Sequence, residues 1–351
     1  MQNNHNQVEL FSSSPAFRQS FEAGLARLLE QGGLNLFILV AANASFDQSL
    51  YACLRDRLGN TYRGLLANLQ EAYTQGGSVN ETDDDLLVFL KMAAIGLDAL
   101  ALTELRQAGS WEVQFNHLRS FRPMRNSQRP MTSIREPFDP QGFNFNKPFI
   151  QQESLWSGTL CGQVFDLYYN KYPFVDQHCL LVPAREECLP QYHIDDMHAF
   201  VWSLMQMLSP ALPGLHIGYN ALGAFASVNH LHFQLFVRDQ ALPVESENWV
   251  HNGGQDSYPV DCSCYEEPTS AWQAIEQLHN SNQAYNLLYT PRGMYCMPRK
   301  KQGEFQLAAW SNGFSWYELC GGMITFNRQD YASLQADQIC ADLSLARLEE
   351  A

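Results

Sequence analysis

The sequence is poor in charge and poorer still in positive charge. Only 17% of its 351 residues are Asp, Glu, Lys or Arg, and 22 Lys plus Arg face 37 Asp plus Glu, giving a formal charge of −15. A nucleic-acid coat or an anionic-membrane binder needs net positive surface, so this balance argues against both and leaves phosphorylated small molecules open, since a few local cations hold those. Long apolar runs are absent as well. The longest, around Leu34–Ala42 and Leu86–Leu102, are too short or are broken by Lys91, Gly96 and Asp98, which excludes a bilayer-spanning helix. The start, MQNNHNQVEL, has neither a basic n-region nor an apolar h-region, so no secretory leader is expected. Paired cysteines are missing too: nine are scattered from Cys53 to Cys340, an odd number that does not read as a disulfide framework. The expectation is a protein of a reducing cytoplasm, without internal repeats or low-complexity tracts.

Such a length suggests two domains, or one elaborated one. Residues 14 to 109 read mostly as helix. Phe17, Phe21, Leu25, Leu28 and Leu29 recur at helical spacing after Ser14-Pro15 and stop at Gly32-Gly33. Leu34 to Val40 reads as a short β-like run. Leu50 to Leu69 marks further helix as far as Gly76-Gly77, and Thr82 with Asp83, Asp84 and Asp85 opens another, expected to run to Gln107 with Gly109 as its stop. From Trp111 the texture changes. Strand-like segments fall at Trp111–Asn116, Leu155–Tyr169, Cys179–Val182, Leu215–Tyr219, His230–Val237, Tyr285–Tyr289 and Met323–Phe326. Helical patterns occupy Asp195–Leu208, Ser270–His279 and Asp330–Leu348, and Gln240–Glu267 reads as a long loop. The reading is an α+β fold with a largely antiparallel sheet and packed helices, divided into a helical region 1–110 and a second unit 111–351.

Chemistry concentrates between His216 and Phe236. On a strand, alternate residues share a face, so His230, His232 and Gln234 line up on one side while Leu231, Phe233 and Leu235 cover the other. Upstream, Gly223 and Ser227 sit in a small-residue turn able to bring backbone N–H groups and a hydroxyl close to an anion. Three readings compete. The histidines are ordinary core residues; or they chelate a metal, although a third ligand of good type is wanting; or one of them attacks phosphorus, with its neighbours holding phosphate oxygens.

The motifs resemble those of the histidine-triad superfamily, in the nucleotidylyltransferase branch where Gln takes the place of the third histidine. They are most similar to the GDP-hexose phosphorylases. The residues that carry the likeness are Gly-Tyr-Asn-Ala-Leu-Gly-Ala-Phe-Ala-Ser-Val-Asn-His-Leu-His-Phe-Gln (218–234), Phe-Asp-Pro-x-x-Phe-Asn-Phe-Asn-Lys (138–147) and His178-Cys-Leu-Leu-Val-Pro183 with Leu189-Pro-Gln191. Weaker likeness runs through Asn286-Leu-Leu, Pro298-Arg-Lys and Trp316-Tyr-Glu318.

This resemblance implies a histidine-triad-like fold and phosphorolysis of a GDP-hexose to GDP and hexose 1-phosphate. It makes His232 the nucleophile, His230 the residue whose backbone carbonyl orients its ring, and Gln234 the amide on a non-bridging phosphate oxygen. Ser227, Asn220 and Gly223 correspond to phosphate contacts, Lys147 to a cation on the phosphates, and Asn170 to a ribose or phosphate contact. No metal and no cofactor are implied. The partners would be a nucleotide sugar and inorganic phosphate, with no nucleic acid and no membrane, and a homodimer is one possible assembly. Dinucleoside polyphosphate phosphorolysis, hexose-1-phosphate uridylyl transfer and a non-catalytic nucleotide-sugar sensor are the alternatives. The chain departs from the pattern at Gly322, where the family has Glu-x-x-Gly-His, and residues 14–109 have no counterpart in it. Between Arg119 and Lys147, six cations (Arg119, Arg122, Arg125, Arg129, Arg135, Lys147) stand against Glu136 and Asp139, either a solvated basic face or part of the site.

Overall fold

A computed structural model describes residues 10–79, 81–123 and 130–349; Arg125 and Arg129 of the basic segment lie outside these. Helix α1 (Ser14–Gln31) starts where Ser13 Oγ accepts from Ala16 N at 3.2 Å and Pro15 occupies the first turn. The run after Gly32-Gly33 is helix α2 (Leu34–Ala44), not a strand. Every residue of α2 except Asn35 is buried. A helix surrounded by protein has no polar face, so its sequence carries no helical period and looks like a buried strand. Helix α3 (Gln48–Thr74) is capped by Asp47, and α4 (Asp83–Ile95) by Thr82, whose Oγ1 accepts from Asp85 N.

Helix α4 does not reach Gln107. Gly96 takes φ +83°, a left-handed conformation that glycine adopts without a Cβ penalty, and it ends the helix there. Glu104–Ala108 is instead strand β1, hairpinned to β2 (Trp111–Phe115), so the line drawn at 110/111 falls in the turn of this hairpin. β2 pairs in parallel with β11 (Gly322–Thr325), making a three-stranded sheet.

The larger sheet is built from β3 (Ser154–Leu160), β4 (Gln163–Tyr169), β5 (Cys179–Pro183), β6 (Leu215–Asn220), β7 (Phe233–Val237), β8 (Ser263–Tyr265), β9 (Tyr285–Tyr289) and β10 (Met294–Pro298). Their order is β3-β4-β5-β7-β6-β9-β10-β8, and every pair is antiparallel. The expected single strand Leu155–Tyr169 is two strands joined at Cys161-Gly162. Part of the expected loop 240–267 supplies edge strand β8. Helices α5 (Asp195–Leu208) and α6 (Pro268–Asn280) fall where the periodicity placed them. Beyond the four-residue α7 (Trp316–Leu319), the expected final helix is split into α8 (Arg328–Ser333) and α9 (Ala336–Ser344).

The mixed α+β architecture with a mainly antiparallel sheet is therefore as the sequence reads. Strand alternation sorts the sheet's two faces. Leu167, Leu181, Leu235 and Ile217 join Phe17, Ile38, Leu58, Phe89 and Val201 in one buried cluster under the helices. Phe236, Leu288 and Met297 join Val113, Met323 and Trp316 in another, under the small sheet. Gln234, between Leu235 and Phe233, shares the second face with Phe236, and the functional site opens on that side. Among the described residues no helix is long and apolar enough to cross a membrane, and all nine cysteines are free.

Candidate active site

Strand β7 begins only at Phe233, so His230 and His232 precede the ladder rather than belong to it. A buried glutamine explains the difference. Gln191 Oε1 accepts from His232 N at 2.9 Å, while its Nε2 donates to the carbonyls of His232 (3.1 Å) and Asn220 (2.9 Å). One side-chain amide thus replaces the strand partner, satisfies buried backbone groups and fixes the path of the chain. Asn229 Nδ2 donates to Pro137 O at 2.7 Å, and Phe145 N donates to His230 Nδ1 at 3.1 Å. The segment 138–147 is thereby brought onto the histidines from far along the chain.

Hydrogen bonds assign both imidazoles. His232 Nδ1 lies 2.8 Å from His230 O; a carbonyl only accepts, so Nδ1 carries the proton and Nε2 holds the lone pair. Burial pushes the His232 pKa down to about 4, the bond to His230 opposing it only in part. This ring is neutral at pH 7. His230 accepts at Nδ1 and donates from Nε2 to Arg185 O at 3.1 Å. Both its nitrogens are thus used within the protein, which leaves none for a His-x-His metal chelate. Among the described residues no group of three His, Cys, Asp or Glu side chains is placed to hold a metal ion.

Gln234 is held by a residue that the sequence showed only as part of a motif. His178, fully buried and with its pKa lowered to about 3 by that burial, donates from Nε2 to Gln234 Oε1 at 3.0 Å. With Oε1 so occupied, the Nε2 end of the amide is the one available as a donor.

A cavity of about 310 Å³ opens beside them, lined by His232, Gln234, Ser227, Asn220 and Asn170 among others. Asn220 Oδ1 accepts from Trp316 N (2.8 Å) and Asn286 Nδ2 (2.6 Å), which fixes its amide. The structure does not bring Gly223 or Lys147 to the cavity. Gly223 sits in the turn behind it, its carbonyl accepting from Gln302 N, and Lys147 Nζ donates to Pro140 O at 3.2 Å. His230 is likewise behind the wall and reaches the site through its carbonyl. Two arginines of the basic segment, Arg119 and Arg122, do line the cavity, whereas Arg135 lies over the Tyr192 ring elsewhere. Gly322 is explained by packing: a Cβ there would fall 2.2 Å from Tyr317 Cζ, so no histidine fits. Glu318 lines the cavity nonetheless; burial raises its pKa, and its Oε2 accepts from Ser315 N at 2.8 Å.

An α+β sheet thus carries a neutral buried histidine beside a fixed glutamine amide. Residues 105–236 match the family model described as GDPGP1-like, N-terminal domain. Over part of its length the chain is similar to GDP-hexose phosphorylases. It is 35% identical to GDP-D-glucose phosphorylase 1 of Danio rerio over 157 residues, 43% of either chain. It is 27% identical to GDP-L-galactose phosphorylase 1 of Arabidopsis thaliana over 260 residues, 62% of this chain and 58% of that one. The chain spans about half the length of the relatives it matches. The crystal structure of yeast Ap4A phosphorylase Apa2 aligns with a TM-score of 0.49 at 14% identity, covering 76% of this chain and 95% of that one.

Proposed function

We propose that the protein is a nucleotidylyltransferase that phosphorolyses a GDP-hexose through a guanylylated His232. One observation carries the reading: the bond from His232 Nδ1 to the His230 carbonyl, which leaves the Nε2 lone pair of a neutral ring bordering the cavity. The names of the relatives supply the substrate class. Nε2 attacks the α-phosphorus; the P–N bond forms as the bond to the sugar-phosphate oxygen breaks, and hexose 1-phosphate departs. The proton stays on Nδ1, hydrogen-bonded to the His230 carbonyl, throughout, so the intermediate is a phosphoryl-imidazolium, which is a good leaving group. An oxygen of inorganic phosphate then attacks, the P–N bond breaks, and GDP leaves as the lone pair returns to Nε2. Double displacement divides one in-line transfer into two, and the same donors serve both transition states. Gln234 Nε2, with Ser227 and Asn220 on the same wall, would hold the non-bridging oxygens; Asn170 is near enough to the same space to take a hydroxyl or phosphate oxygen.

The test is acceptor dependence. With a GDP-hexose and inorganic phosphate the wild type gives GDP and hexose 1-phosphate, and His232→Ala lowers turnover by about 10³-fold or more, as loss of a covalent nucleophile does, with the thermal unfolding profile retained. GMP as the product would mean hydrolysis. Near-normal turnover in His232→Ala would end the reading.

A further inference from the structure

Two side-chain amides on the wall beside His232 have their oxygens turned away from the cavity. Gln234 Oε1 accepts from His178, and Asn220 Oδ1 accepts from Trp316 N at 2.8 Å and Asn286 Nδ2 at 2.6 Å. The second arrangement continues inward. Asn286, fully buried on β9, also donates from Nδ2 to Ala224 O at 3.0 Å, and its Oδ1 accepts from Arg299 Nη1 at 3.4 Å. Arg299 follows β10 and is fully buried too, its guanidinium over the Phe225 and Phe305 rings at 4.9 and 5.4 Å. Its Nε donates to Lys300 O at 3.0 Å, and its Nη1 donates also to Phe314 O.

These bonds run in one direction, and the groups at their ends cannot change role. A guanidinium and a backbone N–H only donate; a carbonyl only accepts. Arg299 therefore sets Asn286 with its oxygen inward, and Ala224 O holds the nitrogen of the same amide. Asn286 Nδ2 and Trp316 N both require the oxygen of Asn220, so the Asn220 nitrogen is the outer end of the chain. Asn220 lines the cavity, and among the described residues its Nδ2 has no protein acceptor. Charge is not what reaches the cavity by this route. Burial brings the Arg299 pKa down to about 9, with Glu318 opposing the fall, so the cation has an acid in its neighbourhood. What is transmitted is the polarity of the bonds, each of which strengthens the next in a low dielectric. The bond from Asn286 to Ala224 O also anchors the turn that carries Ser227. It acts together with Gln302 N on Gly223 O at 2.7 Å and Phe225 N on Gln302 Oε1 at 3.2 Å. Phe225 in that turn takes φ +67°, a left-handed conformation that a bulky residue keeps only where its surroundings impose it.

We propose that Asn286, oriented by Arg299, is a positioning residue that fixes Asn220 Nδ2 as a donor to a non-bridging oxygen of the phosphate attacked by His232. An anionic phosphate oxygen only accepts, so Asn220 Nδ2 and Gln234 Nε2, both with their oxygens tied back, meet it with donors alone. The inference rests on the GDP-hexose reading for the identity of the phosphate, and on the direction of the bonds for the donor. Neither Asn286 nor Arg299 lines the cavity, and both lie outside the segment 105–236 matched by the family model.

The test uses Asn286→Asp, which keeps the shape and the acceptor for Arg299 but sets an oxygen against Asn220 Oδ1, and Arg299→Met, which frees Asn286 to turn over. In the first arm GMP and guanosine are titrated by calorimetry, so that the ratio of their affinities isolates the phosphate. The wild type prefers GMP, and Asn286→Asp lowers that preference about tenfold or more, as loss of one hydrogen bond to a charged group does. Arg299→Met lowers it in the same direction. In the second arm adduct formation is timed by intact mass with the two diastereomers of a GDP-hexose carrying sulfur at one non-bridging position of the guanosine-side phosphorus. Sulfur is a poor acceptor, so the wild type distinguishes the two; both variants change that rate ratio by about fivefold or more, whereas damage to the fold slows both diastereomers alike. Asn220→Ala combined with Asn286→Asp is no slower than Asn220→Ala alone, because the effect passes through Asn220. Should Asn286→Asp fail to fold, Asn286→Ala and Arg299→Met carry both arms. Folded variants that keep the GMP preference and the diastereomer ratio within about twofold of wild type overturn the positioning role, as does a wild type that binds GMP no better than guanosine. A wild type that forms no adduct, yet has a GMP preference that the variants lose, overturns the phosphorolysis reading and leaves the positioning role standing.

Discussion

His232 owes its state to two opposed influences. Burial disfavours the charged ring, and the His230 carbonyl selects the tautomer. The sign of the pH dependence follows. A base whose folded pKa is depressed is in its active, unprotonated form at every pH above that value, and loses it only as pH falls through about 4. For kcat/KM with GDP-hexose, which reports the first half-reaction before phosphate enters, the acid limb belongs near pH 4, where an ordinary histidine would put it near about 6.5. A pH profile of kcat/KM checks this; a limb near 6.5 would show that the ring is solvated and the geometry wrong. Much of this residue-level picture is legible in the sequence, because His230, His232 and Gln234 lie within five positions and their alternation is local. Lys147 was legible as a cation but not as a residue tied to Pro140, since the fold of its own loop decides where its amine goes. Arg119 carried no signal beyond local charge, and His178 none beyond its motif, because both reach the site only through chain distant in sequence.

At the scale of elements, the loop between β4 and β5 is the part on which the site turns. It holds Asn170, Lys171, Tyr172 and Phe174, and its carbonyls accept from β2 and the chain just after it on one side and from α2 on the other. Asn43, buried on α2, donates from Nδ2 to Asn170 O at 3.0 Å. Asn43→Ala leaves that carbonyl without its donor and is expected to cost about 1–3 kcal/mol, measured as a shift in the denaturant midpoint at unchanged m-value. No loss would show that the helices do not support the loop. The elements that differ from the sequence reading do so for separate physical reasons. Leu34–Val40 looked β-like because a fully buried helix loses its polar face, and His230–Val237 looked like one strand because sequence cannot show that Gln191 takes the place of a pairing partner. Gly96 and Gly109 were equally good stops by composition; only the pairing of β1 with β2 decides between them.

For the whole molecule, the packing of the described residues between Leu10 and Ile95 matters more than their separateness. Their apolar side chains join Phe165, Leu181 and Leu235 in one core, and each Leu or Phe so buried contributes about 1.5–3 kcal/mol. The charge of −15 also acquires a structure: acids dominate the sum while Arg119, Arg122 and Lys171 border the cavity. Net charge weighs against polyanions as partners and says nothing against one small diphosphate held by local cations. The central claim, that His232 becomes covalently guanylylated, is tested most directly by weighing the intact protein after incubation with a GDP-hexose in the absence of phosphate. The account predicts a gain of one guanylyl group in the wild type, none in His232→Ala, and return to the starting mass with release of GDP when phosphate is added. Turnover of GDP-hexose by the wild type with no such gain, or an equal gain in His232→Ala, would contradict it.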